Sequence, residues 1–247
     1  MPTPFMHLQM AERILVDGRL GSQLRETIGD QLPAFYLGNV APDYQTIAAI
    51  PREQTHFYNL PPGLMDDACR TMLAKYPELN RSEVLGPAQA VFIAAYCCHL
   101  LLDLQWYHKI LIPVFLGPGE WDDHRHRFIV HNTLLTYLDK QAFDSLPDSA
   151  AATLGASEPN GWLPFASNDD LSNWRNFLVS QLKPGAILHT VEIYASRLSM
   201  SPMEFSDNLS RPEWMEEHVF SRIDIDSVLS ILKEAVGASV NLLTDYF

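Results

Sequence analysis

The sequence has little positive charge, little cysteine and no long uninterrupted apolar run. Its 17 lysine and arginine residues face 30 aspartate and glutamate residues, which gives a formal net charge of −13. A chain with this charge repels phosphate backbones and anionic membrane surfaces at long range, so we expect no broad nucleic-acid-binding surface. This argument does not apply close to a metal site, because bound divalent cations dominate the electrostatic field there.

Signals for membrane insertion or export are also missing. The longest apolar run, residues 88–102, is interrupted by Gln89 and His99, and it is shorter than the roughly 18 residues needed to cross a bilayer. The first 15 residues lack the basic start and continuous apolar stretch of a secretory signal. We therefore expect no transmembrane segment and a cytoplasmic location.

Cysteine is scarce, and its number is odd. Three cysteines, two of them adjacent at Cys97 and Cys98, are typical of a protein from a reducing compartment. On a helix these two side chains lie about 200° and about 100° away from that of His99. We therefore expect them to be small core residues and not metal ligands.

Helical patterns dominate what is present. Apolar residues recur at helical spacing in residues 5–15, and further helices are predicted over residues 64–76, from Pro87 through Asp103, over residues 122–141 and in the last third of the chain. No alternating strand pattern, repeat or heptad run occurs. Residues 28–63 are rich in proline and predict an ordered, irregular loop layer. The fold class is therefore all-α, a multi-helix bundle with a Pro-rich layer.

The expected organisation is one compact domain with three parts. Residues 1–143 form a metal-binding helical core, and residues 171–247 form C-terminal helices packed on it. Residues 144–170 mix small and polar residues with three prolines and two glycines. That composition is typical of a linker or an excursion.

The most apolar stretch, "AAYCCHLLLDLQWYHK" at residues 94–109, carries two ionisable residues four positions apart. On a helix His99 and Asp103 share one face, with side chains about 5 to 6 Å apart. They can form a hydrogen-bonded pair in the core, which is the commoner arrangement, or they can bind one metal ion together. The same helix offers little polar material to satisfy them, so their partners must come from elsewhere.

Candidate partners lie in the Pro-rich layer and in the first helix. Asp43 follows Pro42 in "GNVAPDYQT", His56 stands in "EQTHFY", and His7 is isolated among apolar neighbours. Together with His99 and Asp103 these residues make a set of five metal-ligand types within the first 103 positions.

The order of these motifs resembles the zinc-dependent phospholipase C family, whose wider superfamily includes the single-strand-specific zinc nucleases. The most specific pieces are "LGNVAPD" and "HLLLD", with a histidine between them. The resemblance covers about residues 5–140. It implies an all-helical phospholipase C-like bundle that holds two or three zinc ions.

The resemblance also implies a role for each residue. Asp43, His56, His99 and Asp103 look like the ligands of the first zinc, and Asp103 would bridge to another zinc bound by His7. His108 looks like the first ligand of the remaining zinc. Clustered zinc ions suit phosphoric ester hydrolysis, and Asp43 is the candidate general base.

The sequence departs from the family pattern in three places. Family enzymes use an N-terminal tryptophan as a ligand, whereas this chain begins Met1-Pro2. His108 falls on the opposite side of an unbroken helix from His99, so it can join the site only if the helix ends or bulges near Trp106. The later His-x-x-x-Glu or His-x-x-x-Asp pair of the third zinc is missing.

Several residues could replace that pair. We favour His131, because it lies inside the apolar run "FIVHNTLLTYL". The alternatives are Asp122 with His126, four residues apart, and His189 with Glu192, far downstream.

These observations predict a zinc-dependent phosphoesterase in which activated water attacks a phosphodiester or monoester. The substrate would be a small phosphoester or a lipid headgroup. Two alternatives stay open. One is a scaffold that carries a weakly active or structural metal centre, and the other is a helical interaction protein in which the buried His–Asp pairs are ordinary core networks.

Overall fold

The computed structural model describes residues 1–117, 121, 123–183, 185–186 and 188–247. Within these ranges the regular secondary structure is entirely helical, which confirms the predicted all-α class. The α-helices, in chain order, are α1 Pro4–Val16, α2 Ser22–Asp30, α3 Leu32–Val40, α4 Gln45–Ala48, α5 Glu53–His56, α6 Ala68–Lys75, α7 Pro87–Trp106, α8 His124–Ser145, α9 Ala150–Gly155, α10 Asn168–Gln181, α11 His189–Arg197, α12 Pro202–Leu209, α13 Pro212–Met215 and α14 Ile225–Tyr246.

Helix α7 forms the centre of the molecule. It begins at Pro87, where the fixed φ of proline suits the first helical position. Almost every side chain from Ala90 to Trp106 is buried, because α1, α3, α6 and α14 all pack against it. A helix that is apolar on all sides is stable only in such an enclosed position.

Helices α3 and α7 approach unusually closely at Gly38. A Cβ atom at this position would lie 2.3 Å from the carbonyl oxygen of Phe92 and 2.6 Å from the Cβ of Ala95. Only glycine permits this contact, which brings the backbone of the "LGNVAPD" motif against the face of α7 that carries His99.

The Pro-rich layer consists mainly of short helices. Prolines occupy the first turns of α3 and of the 3₁₀-helix Ala41–Tyr44, where proline is favoured. Left-handed backbone at Ala49 and Phe57 follows α4 and α5. The breaks turn the chain several times and so present Asp43 and His56 from separate short elements.

The end of α7 changes from α-helical to π-helical geometry. The α-helix ends at Trp106, and a π-helix continues over Tyr107–Leu116 with Pro113 inside it. The wider turns of a π-helix rotate the side chains that follow. The helix therefore changes at the position where a bulge was required for His108 to reach the site.

Residues 144–170 contain α9 and contribute buried side chains. Leu154, Trp162 and Leu163 are buried, and α9 packs against α3 and α10. The ring of Phe165 lies 5.1 Å from that of Phe57. The division of the chain into three parts stays a prediction.

In the part of the chain that the structure describes, one helix, Pro87–Leu116 with its π-helical end, is long and apolar enough to cross a membrane by length and composition. Within its most apolar window 72% is buried inside the molecule. The central helix of a globular protein passes the same test, so this feature is weak support for a membrane span.

Cys97 and Cys98 are buried core residues, as predicted, but Cys97 is not a free thiol. Cys69 in α6 and Cys97 in α7 form a disulfide, with Cα atoms 5.0 Å apart, while Cys98 is free and buried. Packing of α6 on α7 brings together residues 28 positions apart. The pairing removes the cysteine-based argument for a reducing compartment, and the cytoplasmic location stays a prediction.

Candidate metal centre

Four elements bring the five predicted ligands of the first two zinc ions together. His7 comes from α1, Asp43 from the 3₁₀-helix, His56 from α5, and His99 and Asp103 from α7. These residues make two overlapping groups of ligand atoms within 4.8 Å of one another, namely His7, His99 and Asp103, and Asp43, His56 and His99.

Asp103 lies between the histidines. Its Oδ1 is 3.5 Å from Nε2 of His7, and its Oδ2 is 3.4 Å from Nε2 of His56 and 3.8 Å from Nε2 of His99. The two carboxylate oxygens therefore face different histidines, which is the arrangement of a bridging ligand.

Asp43 completes the group on the other side. Its Oδ1 is 3.5 Å from Nε2 of His56 and 4.0 Å from Nε2 of His99. The same two imidazole nitrogens thus face Asp43 and Asp103 together, so a two-His, two-Asp set converges on one point.

The orientation of His99 is fixed by the "LGNVAPD" motif. Its Nδ1 lies 2.8 Å from the backbone carbonyl oxygen of Asn39, which can only accept a hydrogen bond. Nδ1 therefore carries the proton and Nε2 presents a lone pair. A backbone carbonyl behind the imidazole is a common support for a metal-binding histidine.

His56 is oriented in a similar way by its neighbour. Its Nδ1 lies 2.8 Å from Oγ1 of Thr55, and that hydroxyl donates its single hydrogen to the carbonyl oxygen of Arg52. Thr55 must then accept from Nδ1–H of His56, which turns the lone pair of Nε2 toward the carboxylates.

His7 packs face to face on His99. The ring centroids are 3.6 Å apart and the ring planes differ by 9°. Both rings are fully buried, and the stack points His7 toward Oδ1 of Asp103.

The cluster fits a metal ion, because most of its ligand atoms lack a hydrogen-bond partner among the described residues. Among the described residues no hydrogen-bond partner exists for either ring nitrogen of His7, for Nε2 of His56 and His99, or for Oδ1 of Asp103. Leaving such groups buried and unpaired is costly. Imidazole nitrogens and carboxylate oxygens are the donors that zinc binds, so a zinc ion would satisfy these atoms.

Only one ion can use His99, since its Nδ1 is already bonded to Asn39. The set of Asp43, His56, His99 and Oδ2 of Asp103 offers four ligands for that ion. A second ion would be left with His7 and Oδ1 of Asp103 from the described side chains, and it would need further ligands.

The electrostatics of the cluster favour a cation. Burial raises the pKa of Asp43, but His99 and His56 outweigh it and lower that pKa to about 2. Burial likewise acts against ionised Asp103, but Arg52 and His56 hold its pKa well below the usual value. Burial and His7 lower the pKa of His99 to about 3, so this imidazole is neutral at pH 7 and available as a ligand.

His56 behaves differently from His99. Burial lowers its pKa, but contacts with Asp103 and Asp43 outweigh burial, and the net shift is upward. A proton on His56 thus occupies the position between two carboxylates that a metal cation would otherwise fill.

Two residues at the site were missed in the sequence. Nη2 of Arg52 donates to Oδ2 of Asp103 and to the hydroxyl of Tyr58, 2.6 Å away. The Tyr58 hydroxyl in turn donates to the same oxygen of Asp103 over 3.3 Å. The sequence did contain a signal for Arg52. It lies four residues before His56, and this spacing places both side chains on one helical face.

The cluster opens to solvent on the side of Asp43. The Asp43 side chain is 16% exposed, whereas those of His7, His56 and His99 are fully enclosed. Asp43 also lines a cleft of about 380 Å³ whose walls include Thr46, the N-terminal residues 1–5 and the aromatic rings of Trp174, Phe177 and Tyr194.

His108 and His131 do not join a group of ligand-type side chains among the described residues. His131 accepts a hydrogen bond from Nε1 of Trp106 over 3.4 Å, and burial together with the Met1 amino group lowers its pKa to about 3. His108 has both ring nitrogens without a partner in the described ranges. Asp122, the partner considered for His126, lies outside those ranges, and a third zinc site stays a prediction.

The charged side chains around the candidate metal centre also act on the Met1 amino group. Burial lowers its pKa, while Asp103 and Asp43 favour its charged form and Arg52 opposes it. The distant pair His189 and Glu192 is exposed, with 3.4 Å between its polar atoms, and belongs to no group of three ligand-type side chains in the described ranges.

Asp139 of α8 is a further buried carboxyl that the sequence analysis missed. It accepts hydrogen bonds from the hydroxyl of Thr3, from the backbone N–H of Phe5 and from the hydroxyl of Thr190. Burial raises its pKa to about 6. Asp139 therefore anchors the start of α1, the helix that carries His7.

The comparison with protein families agrees with this geometry. The family model for zinc dependent phospholipase C matches residues 6–182, which is more than two thirds of the 247 residues. The chain belongs to the zinc-dependent phospholipase C family, as its motifs predicted. Searches of curated proteins and of solved structures found no significant match.

Proposed function

We propose that this chain is a zinc-dependent hydrolase of phosphoric esters, with zinc held by Asp43, His56, His99 and Asp103 and a second ion at His7 and Asp103. The observation that carries the proposal is the set of buried imidazole and carboxylate atoms that converge without hydrogen-bond partners. Membership of the zinc-dependent phospholipase C family supports the same metal and the same class of substrate.

Zinc, when bound, polarises phosphoryl oxygens and lowers the pKa of water toward neutrality. The residues of the chain would perform the remaining tasks. Asn39 and Thr55 hold the imidazoles of His99 and His56 in the ligand tautomer. Asp43, ionised at neutral pH and open to the cleft, would orient the attacking water and accept its proton.

The cleft beside Asp43 suits the organic part of a small ester. Its volume of about 380 Å³ lies within the range of sites that enclose small molecules. Its lining includes the aromatic residues Trp174, Phe177 and Tyr194 and one of the proposed ligands, Asp43. We propose a small phosphoester or a lipid headgroup as the substrate, since the net charge of −13 disfavours an extended nucleic acid.

A second candidate is a metal-binding protein of the same fold without hydrolytic activity. The position of His131 favours this candidate, because its imidazole is bonded to Trp106 and lies outside both ligand groups. A site with fewer ions than its relatives would retain the scaffold and lose part of the chemistry.

Metal analysis and turnover together separate these candidates. Protein purified without chelator should contain about two or three zinc ions per chain if the full site forms. His99→Ala and Asp103→Ala should lose zinc, whereas the exposed-residue controls His124→Ala and Asp245→Asn should retain it. Zinc with turnover of bis-nitrophenyl phosphate or nitrophenyl phosphate supports the hydrolase, and zinc without turnover supports the second candidate. Absence of any transition metal would overturn both.

A further inference from the structure

Arg52 places a guanidinium group among the metal ligands. Its Nη2 contacts Oδ2 of Asp103, the oxygen that also faces His56 and His99. The guanidinium carbon lies 5.3 Å from the ring centroid of Tyr58, whose hydroxyl accepts a second hydrogen bond from Nη2. Two partners thus fix the plane of the guanidinium beside the cluster.

Most of the donors of Arg52 remain free. A guanidinium carries five N–H groups, and Nη2 uses its two on Asp103 and Tyr58. Nε is buried without a partner among the described residues, and Nη1 forms no ion pair or hydrogen bond within the same ranges. The buried Nε donor, which the described residues leave unpaired, points to a ligand with acceptor oxygens.

The charge of the site fits an anion once metal is present. Asp43 and Asp103 contribute two negative charges and Arg52 one positive charge, so these side chains sum to −1 when the histidines are neutral. One divalent cation makes the sum +1, and each further ion adds two. Arg52 is therefore not needed to neutralise the ligands of a metal-loaded site, and its charge is available to a substrate.

The solvent exposure of Arg52 agrees with a role in binding a substrate. The Arg52 side chain is 20% exposed and that of Asp43 is 16% exposed, whereas the other ligands are almost fully enclosed. The partly exposed side chains of the cluster are thus those of Arg52, a cation with free donors, and of Asp43, a carboxylate.

We propose that Arg52 binds the phosphoryl group of the substrate, next to the zinc ligands, through N–H donors of its guanidinium that the described residues leave unpaired. The inference rests on the proposed function for the identity of the substrate as a phosphoric ester. Planar guanidinium donors match the oxygens of phosphate, which explains why an arginine and not a lysine suits this position. Tyr58 acts as a positioning residue that holds the guanidinium.

The test uses inorganic phosphate as the probe and calorimetry of the zinc-loaded chain as the readout. Arg52→Met should keep its zinc and lose about 10- to 100-fold in phosphate affinity, as expected for a charge-assisted hydrogen bond. Arg52→Lys retains the positive charge and should recover part of the loss. The control Arg81→Met makes the same charge change at an exposed arginine paired with Glu83 and should bind phosphate as the unaltered chain does.

Three results would overturn the inference. Phosphate binding by Arg52→Met equal to that of the unaltered chain would show that Arg52 does not contact the anion. Loss of zinc in both Arg52→Met and Arg52→Lys would show that Arg52 serves to hold Asp103. Failure of the unaltered, zinc-loaded chain to bind phosphate would also contradict it. If that chain binds phosphate through Arg52 but hydrolyses no ester, the proposed function fails while the anion site stands.

Discussion

Helices α7 and α8 both bury polar side chains, but the hydrogen bonding of these side chains differs between the two helices. On α7, Nε2 of His99 and Oδ1 of Asp103 have no hydrogen-bond partner among the described residues. On α8, Asp139 accepts three hydrogen bonds, and His131 accepts one from Trp106. Since unpaired buried groups are costly, the α7 pair indicates a missing ligand, whereas the α8 residues are explained by the structure alone.

The comparison also explains why both helices matter for the candidate centre. Helix α7 supplies ligands directly, and α8 holds in place the segment that leads to His7. Changes on α7 should therefore affect metal binding, and changes on α8 should affect mainly stability.

The largest expected loss of stability follows from removal of the disulfide that joins α6 to α7. Cys69→Ser removes the disulfide to Cys97, which closes a loop of 28 residues in sequence separation, and should destabilise the fold by about 3 to 4 kcal/mol in the chain-entropy estimate. Urea unfolding without reductant measures the loss.

Cys98→Ser is the matched control, because Cys98 is buried but unpaired. It should cost clearly less than Cys69→Ser. If thiol titration of the denatured, unreduced chain finds three free thiols and not one, the disulfide does not form and this prediction is wrong.

The next effect concerns the close approach of α3 to α7. Gly38→Ala places a methyl group 2.3 Å from the carbonyl oxygen of Phe92, and overpacking of this kind costs about 3 kcal/mol. Separation of the helices also withdraws the Asn39 carbonyl from His99, so zinc affinity should fall together with the melting temperature.

Gly29→Ala provides the contrast within the neighbouring helix. Outside its chain neighbours and the backbone of its own helix, no atom of the described residues lies within 4 Å of a Cβ at Gly29. Replacement in helix α2 should therefore be neutral or stabilising by about 0.5 to 1 kcal/mol. Equal behaviour of the two variants would contradict the packing argument.

On α8, Asp139 should make stability depend on pH. Its pKa is raised from 3.8 in the unfolded chain to about 6 in the folded protein. The Asp139 carboxyl group therefore ionises less readily in the folded state than in the unfolded state. The contribution of Asp139 is complete below about pH 4 and is lost as pH rises through about 6, a change of up to about 3 kcal/mol.

Asp139→Asn removes this titration and preserves the shape of the side chain. Urea unfolding of both chains in the presence of chelator should show the unaltered protein losing stability relative to Asp139→Asn between about pH 4 and about pH 7. A constant difference over that range would mean that Asp139 is not the buried acid described here.

The smallest effect is the pH dependence of zinc binding. His56 has a raised pKa because it lies between Asp103 and Asp43, and zinc must displace its proton. Zinc affinity should therefore fall by about tenfold for each pH unit below the pKa of His56 and level off above it. Competition with a chromophoric chelator measures the slope, and a flat profile below about pH 6.5, the ordinary pKa of histidine, would contradict the assignment of His56 as a ligand.

The sequence was sufficient for the helical class, for the start of α7 at Pro87 and for the five residues that form the cluster. Local signals determined these features: Pro87 at a helix start, the four-residue spacing of His99 and Asp103, and the ordered motifs around Asp43 and His56.

Other features depend on contacts between distant segments, which leave no local signal. The pairing of Cys69 with Cys97 follows from the packing of α6 on α7, and the hydrogen bonds of Asp139 join α8 to Thr3 and Thr190. The contact of Arg52 with Asp103 also joins residues 51 positions apart, although the four-residue spacing of Arg52 and His56 gave a local signal for it.

The central claim is that His99 and Asp103 of α7, with their unpaired Nε2 and Oδ1 atoms, are zinc ligands, and that the hydrogen-bonded His131 and Asp139 of α8 are structural. Zinc affinity of the unaltered chain, of His99→Ala and of His131→Ala tests it most directly. We predict a loss of at least about 100-fold for His99→Ala, more than typical supporting residues cause, and little change for His131→Ala. Equal zinc affinity in all three chains, or a greater loss in His131→Ala, would contradict the account.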